Sequence, residues 1–273
     1  MRQGLMSLGA FFLSAIPVYA GMVGSGRQLP AGSVKVFGYY EGTQSQDLNF
    51  SLSGEGTCTT NNTVNPNSSF ACGSTGKVTG EGSGGAAMVK LLAQPYESVQ
   101  YWAAVGAGDY TLKVASVTRT NTLSGRSVGP VVEAGVKAIL WPDTVVAPGL
   151  AAQLGFGWRS HRFQENPAGN TAAEGAIDQR LDLLSSQVAL ETGHLFKPEG
   201  WRVGVEPYGG VKWVRTQAWL RDHKGGGRVG GIEDTVTPFL GLHIPAYENE
   251  GLFAEASFVG GFHYAAGLSV RFK

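Results

Sequence analysis

Cysteine, net charge and long apolar runs are all scarce in this sequence. Only 2 of 273 residues are cysteines, and the 21 basic and 21 acidic side chains balance to a formal net charge of zero. Neutrality argues against nucleic-acid binding, for which a basic face is expected. After residue 20 no apolar run approaches the roughly 20 residues that a membrane-spanning helix needs. If the chain spans a membrane, it must therefore do so as a closed β-barrel.

The N-terminus has the pattern of a secretory signal peptide. Met1 and Arg2 form a short basic start, residues 5–18 are apolar, and residues 18–20 (Val-Tyr-Ala) suit a signal peptidase. The alternative is a membrane-anchoring helix, for which the stretch is short. We therefore expect residues 1–20 to be removed on export, and the lack of a cysteine after this site argues against a lipid anchor.

The C-terminal residues 262–272 alternate strictly between two faces. One face carries only apolar side chains: Phe262, Tyr264, Ala266, Leu268, Val270 and Phe272. The other face carries His263, Ala265, Gly267, Ser269 and Arg271. A period of two is that of a β-strand, and about 9 to 11 tilted residues cross a bilayer. The pattern predicts a transmembrane strand.

The same alternation recurs along the chain and predicts an all-β fold. Hairpins are expected at 86–114, 128–158, 181–216 and 236–258, each with a short link, and single strands at 34–43 and 262–272. Longer polar links lie at about 44–84, 118–127, 164–178 and 221–234. The prediction is a closed antiparallel up-and-down transmembrane β-barrel of ten strands, with eight as the alternative. Short turns on one side and long loops on the other are typical of bacterial barrels.

This reading divides the chain into three parts. Residues 1–20 are the signal peptide, 21–32 a short periplasmic N-terminal segment, and 33–273 the barrel, with a long extracellular loop at 44–84. Cys58 and Cys72 lie in that loop, and an even cysteine count in an exported chain suggests a disulfide. By the chain-entropy model such a bond would contribute about 3 kcal/mol.

Composition and aromatic placement agree with a barrel. The 41 glycines lack a collagen-like period and suit strands that must curve. Amphipathic rings prefer the headgroup level of a bilayer. The aromatic residues expected at the lipid interface are Trp102, Trp141, Trp158, Trp201, Trp219 and Phe272.

The phase of each strand predicts which polar side chains face the lumen. The main residues predicted to line the lumen are Lys35, Lys90, Glu133, Lys137, Glu191, Glu206, Lys212, His243, Glu255 and Arg271; the same phase adds Glu41, Asp109, Lys113, Gln153, Arg159, Gln187 and His263. Both charge signs occur, so ion pairs across the lumen are expected. A small barrel has an interior that side chains nearly fill. A wide pore is not expected, because porins need about 16 to 18 strands.

The signal peptide, the hairpin series, segments such as residues 208–213 (Tyr-Gly-Gly-Val-Lys-Trp) and the ending at residues 267–272 carry a family resemblance. The chain resembles small outer-membrane β-barrel proteins of Gram-negative bacteria, including the OmpA and OmpX type. The resemblance implies a monomer in the outer membrane, in contact with its lipids and with lipopolysaccharide, assembled by the barrel-assembly machinery through the C-terminal strand. Lys273 departs from the terminal aromatic of that family.

The fold alone does not determine the activity of the protein. The leading hypothesis is a structural protein or a narrow passive, porin-like channel, which would pass small solutes. The second is surface recognition of an extracellular ligand through residues 57–85. The third is a hydrolase, with Asp222 and His223 compared to the omptin proteases and Ser160 and His161 to outer-membrane lipases. No catalytic residues, metal ion or cofactor are predicted.

Overall fold

The structure is a computed structural model. It describes residues 22–25, 27–52, 76–115, 120–124, 128–164, 178–201, 203–223, 228–247, 249–258 and 261–272. The predicted signal peptide and the cysteine pair at residues 58 and 72 lie outside the described residues.

The described residues form β-strands and no helix. The strands are β1 (Ser33–Leu52), β2 (Gly76–Tyr96), β3 (Val99–Ala115), β4 (Thr120–Ser124), β5 (Gly129–Trp141), β6 (Gly149–Phe163), β7 (Gln179–Gly193), β8 (Glu206–Asp222), β9 (Arg228–Pro245), β10 (Glu250–Ser257) and β11 (Phe262–Phe272). In this part of the chain, no helix is long and apolar enough to span a membrane.

Ten of these strands close into a ring. Each strand pairs antiparallel with its neighbours in the chain, except that β3 continues to β5, and β11 returns to pair with β1. The closure places Val34 opposite both Phe272 of β11 and Ala93 of β2. The short β4 pairs with β3 alone. It is therefore not one of the ten strands of the barrel wall. The predicted ten-stranded, closed antiparallel barrel is confirmed.

The two ends of the barrel differ in their connections. At the end where β1 begins and β11 finishes, which we call the turn end, the links are residues 97–98, 142–148, 194–205 and 246–249. In the twelve-residue link an isolated bridge pairs Phe196 with Val205. We call the opposite end the loop end. The turns fall where the alternating patterns were interrupted, within a few residues of their expected positions.

Several strands reach further toward the loop end than the sequence predicted. The link expected at 44–84 is shorter because β1 continues to Leu52 and β2 starts at Gly76. The link expected at 221–234 is reduced to 223–227. A register shift between Thr43 and Gln46, with a positive φ of 54° at Ser45, lets β1 continue past a bulge. Hydrophobic alternation does not mark these extensions, because both of their faces are polar or mixed.

The barrel exterior carries an apolar belt. Its exposed side chains include Val105, Val132, Leu154, Phe156, Val188, Leu190, Val211, Leu240, Leu252 and Leu268. Their neighbours along each strand point inward and are buried, as the strand period of two requires. A belt of this kind around a closed sheet is the surface that a bilayer would cover.

Near the loop end the inward-facing side chains form a different kind of interior. Leu48, Leu112, Phe163, Leu181 and Leu220 are at most 2% exposed, and the equally buried Gln46 and Gln179 lie on the same inward faces. On the outside of the same region lie arginines at positions 162, 180 and 221. The apolar and polar faces are therefore exchanged relative to the belt. This part of the barrel has the pattern of a water-soluble β-barrel packed around an apolar core.

The orientation of β3 was wrongly predicted. Gln100, Trp102 and Tyr110 are at most 4% exposed and face the interior, whereas Asp109 and Lys113 lie on the exposed face. The expectations of a lipid-interface Trp102 and of a lumenal Asp109 and Lys113 are therefore corrected. The two charges lie near the loop end, where the outer face is polar as well. Near the loop end, a charged side chain is therefore not a sign that the residue faces the interior.

We expect Phe163→Ala to lower the free energy of unfolding by about 3 kcal/mol or more, because a fully buried phenyl ring would leave a cavity. The measurement is urea denaturation in detergent micelles, followed by tryptophan fluorescence. Phe156→Ala is the matched control, since its ring is 56% exposed on the apolar belt. Equal losses for the two variants would contradict an apolar core at the loop end.

Candidate functional site

The lumen between the turn end and the loop-end core is filled by charged and aromatic side chains. The inward residues that are at most 5% exposed include Glu41, Lys90, Glu133, Lys137, Arg159, Glu191, Lys212 and Glu255. They come from seven strands, and strand alternation directs all of them to the interior. Since a buried charge is costly unless it is paired and hydrogen-bonded, their partners determine what this site can do.

Among the buried residues just named, three groups of ion pairs link different strands. Lys137 lies 2.5 Å from Glu191, and Lys212 lies 3.8 Å from Glu255. Arg159 donates to Glu41 at 2.6 Å and to Glu133 at 2.8 Å. Because Arg159 bridges two carboxylates of β1 and β5, it forms a charged layer directly beneath the apolar core of the loop end.

Lys90 is neutralised in another way. Its Nζ lies 4.4 Å from the centroid of the Trp102 ring and donates to the carbonyl oxygen of Met22 at 3.0 Å. The Trp102 ring in turn lies over Gly135 and Gly155, where an added Cβ would approach it to 2.6 and 2.8 Å. The two glycines therefore make room for the ring inside the barrel, which explains why this tryptophan does not face lipid.

Residues 22–25 lie inside the barrel, and residues 27–29 follow toward its turn end. We call residues 22–25 and 27–29 the lumenal segment. The amides of Val23 and Gly24 donate to the two carboxylate oxygens of Glu255 at 3.1 and 2.9 Å. Lys137 Nζ donates to the carbonyl oxygens of Val23 and Ser25 at 3.2 and 3.0 Å. Together with Lys90, which donates to the Met22 carbonyl oxygen, the Glu255 carboxylate and the Lys137 ammonium group thus hold the backbone of the segment against the wall.

Toward the turn end the lumenal segment makes further contacts. The Leu29 amide donates to Gln94 Oε1 at 2.7 Å, and Gln100 Nε2 donates to the Arg27 carbonyl oxygen at 3.1 Å. Residues 21–32 were predicted to be periplasmic, and for residues 22–25 that prediction is corrected. The sequence has no periodicity there, so nothing in it distinguishes a segment inside the barrel from one outside.

A cavity of about 840 Å³ opens at the turn end beside the lumenal segment. On its wall His243 Nδ1 lies 3.0 Å from Glu206 Oε2, and His243 Nε2 lies 3.1 Å from Lys35 Nζ. The Ser25 hydroxyl donates to the other oxygen of Glu206. This chain of polar groups ties the segment to β1, β8 and β9.

The predicted lumen-lining residues therefore fall into two groups. Lys90, Glu133, Lys137, Glu191, Lys212 and Glu255 are buried at the level of the lumenal segment, and Lys35, Glu206, His243 and Arg271 line the turn-end cavity. Tyr208 also faces inward, 3.3 Å from Glu255; its apolar ring gave no sign of this. It belongs to the same alternation as Glu206, which could have revealed it.

The predicted interface aromatics other than Trp102 lie on or near the barrel exterior. Trp141, Trp201 and Phe272 are between 53% and 60% exposed near the turn end. Trp158 is 36% exposed, and Trp219 is half-buried on β8 near the loop end. These rings lie toward opposite ends of the apolar belt, with Trp219 nearest the loop end.

Ser160 and His161, which were considered for catalysis, do not contact each other. Ser160 accepts a hydrogen bond from Arg180 Nε at 2.9 Å, whereas His161 faces the interior and stacks on Tyr110 with the ring centroids 5.2 Å apart. Adjacent strand residues point to opposite faces, which separates the hydroxyl group from the imidazole. His223 is exposed after β8, and the Asp222 side chain lies outside the described residues. Among the described residues, no cluster of His, Cys, Asp and Glu has a metal-binding arrangement.

No family model matches the chain, and no curated protein matches it. Among solved structures it is similar to the outer membrane protein OprG from Pseudomonas aeruginosa, with 11% identity and a TM-score of 0.48 over 91% of this chain and 99% of that one. The outer membrane protease OmpT from Escherichia coli gives 10% identity and a TM-score of 0.48 over 90% and 98%. The translocator domain of the autotransporter NalP from Neisseria meningitidis gives 13% identity and a TM-score of 0.41 over 90% and 89%.

Proposed function

We propose that the chain is an outer-membrane β-barrel protein with a structural role and a sealed lumen. The observation that carries this proposal is the filled interior. From the turn end inward, the lumenal segment, the charged layer around Arg159 and the apolar core around Phe163 follow one another. The apolar belt suits a bilayer, and the predicted signal peptide supports export to the outer membrane.

A sealed barrel predicts an electrically silent protein. Purified full-length protein in planar bilayers should give no discrete openings, because ions would have to cross an apolar core whose central side chains are at most 2% exposed. A large-pore porin reconstituted in the same membranes provides the positive control. Reproducible single-channel steps from the wild-type protein would overturn the proposal of a sealed lumen.

The second candidate is the narrow channel, and the lumenal segment favours it. This segment fills the lumen without belonging to the wall, and the cavity beside it opens at one end. In the channel hypothesis, deletion of residues 22–29 produces openings. In the sealed-barrel proposal the deletion variant stays silent, because the loop-end core remains in place. The two hypotheses therefore predict opposite currents for the same variant.

The docking of the lumenal segment can be tested separately. Val23 is 1% exposed, so Val23→Cys should react slowly with a water-soluble maleimide in a background that lacks Cys58 and Cys72. Adding Glu255→Gln removes the charge and one acceptor for the segment amides. Since a hydrogen bond to a charged group contributes about 1.5–3 kcal/mol, the labelling rate should rise about tenfold.

Glu250→Gln is the matched control for this labelling experiment. It makes the same chemical change at the exposed turn-end start of the same strand. A Val23→Cys site that labels rapidly without any second substitution would show that the segment is not held in the lumen. Equal rates with Glu255→Gln and Glu250→Gln would show that Glu255 does not hold it.

A further inference from the structure

Basic side chains outnumber acidic ones in the lining of the turn-end cavity. Its lining includes Arg27, Lys35, Lys137, Lys197 and Arg271, against Asp143, Glu206 and Glu250. Lys137 is already paired with Glu191. Asp143 lies 2.7 Å from His194. Glu206 contacts His243 and lies 4.0 Å from Arg27.

Lys35 and Arg271 lie side by side in this cavity. They are directly opposed across the β1–β11 pair, and like charges in that position are destabilising. Lys35 Nζ contacts His243 Nε2 and lies 5.0 Å from the Phe37 ring centroid. No described carboxylate lies within 4.0 Å of that ammonium group. An anion placed between the two cations would relieve their repulsion.

The wall next to this pair is apolar. Phe37 and Phe253 meet edge to face with centroids 5.5 Å apart, and Leu92 lines the same cavity. All three side chains belong to one buried cluster, against which Leu29 of the lumenal segment packs. A volume of about 840 Å³ falls within the roughly 300–1,000 Å³ that is typical of small-molecule sites.

We propose that the turn-end cavity binds an amphipathic monocarboxylate. Its carboxylate lies between Lys35 and Arg271, and its apolar part lies along Phe37, Phe253 and Leu92. A small neutral ligand lacks the charge for this head site, and a fully hydrophilic anion lacks contacts with the aromatic wall. The combination of two adjacent cations with an apolar wall selects a ligand that has both parts.

The test is isothermal titration of the full-length protein in a zwitterionic detergent with sodium 3-phenylpropanoate, after subtraction of the heat in protein-free micelles. Wild-type protein should bind saturably, whereas the uncharged 3-phenylpropanamide should not. Lys35→Met should weaken binding about tenfold through loss of a charge-assisted contact. Lys197→Met, in the link at the opposite side of the cavity lining, should change it less than about twofold.

Absence of saturable binding by the wild-type protein, or equal affinities for the acid and the amide, would overturn the proposal. So would unchanged affinity in Lys35→Met. Heat-dependent mobility on gels verifies that each variant is folded, and Arg271→Gln, with the same expected loss, replaces Lys35→Met if that variant does not fold. The result is independent of the conductance measurement, since a sealed barrel and a channel can both hold a ligand at the turn end.

Discussion

The neutralisation of buried charge is the constraint on which the rest of this structure depends. The lumen places ammonium and carboxylate groups in a buried interior, where an unpaired ion is costly. Lys137 has a carboxylate partner in Glu191, but it also donates to two carbonyl oxygens of the lumenal segment. Lys90 is met by the carbonyl oxygen of Met22 and the Trp102 ring. The backbone of the segment is thus part of the electrostatic balance of the barrel.

The barrel has two zones that differ in which face of the wall, inner or outer, carries the polar side chains. In the zone surrounded by the apolar belt, the outside must be apolar, so the polar side chains have no place except the lumen. In the loop-end zone the outside carries arginines, and the inside packs leucines and Phe163. Arg159, with Glu41 and Glu133, lies at the boundary. The exchange of polar and apolar faces at this boundary indicates where the bilayer would end.

The sequence predicts much of the first zone and little of the second. Alternation in β11 and the charges of β5 and β8 place strands and lumenal residues correctly, because lipid on one side makes hydrophobicity a direct sign of orientation. In β3 the charges used to set the phase, Asp109 and Lys113, lie beyond that region, so the phase was inverted. The extensions of β1 and β9 also lie beyond that region, so hydrophobic alternation did not predict them.

The lumenal segment was not predictable, since its position follows from volume and not from pattern. Ten strands enclose more space than eight, and several inward positions carry only alanine, among them Ala104 and Ala189, each 1% exposed. Val23 packs into the gap with Ala189, Tyr208 and Phe239. Small side chains on the wall and an apolar residue on the segment are therefore complementary parts of one interior. The small inward side chains of the wall leave a volume that the lumenal segment occupies.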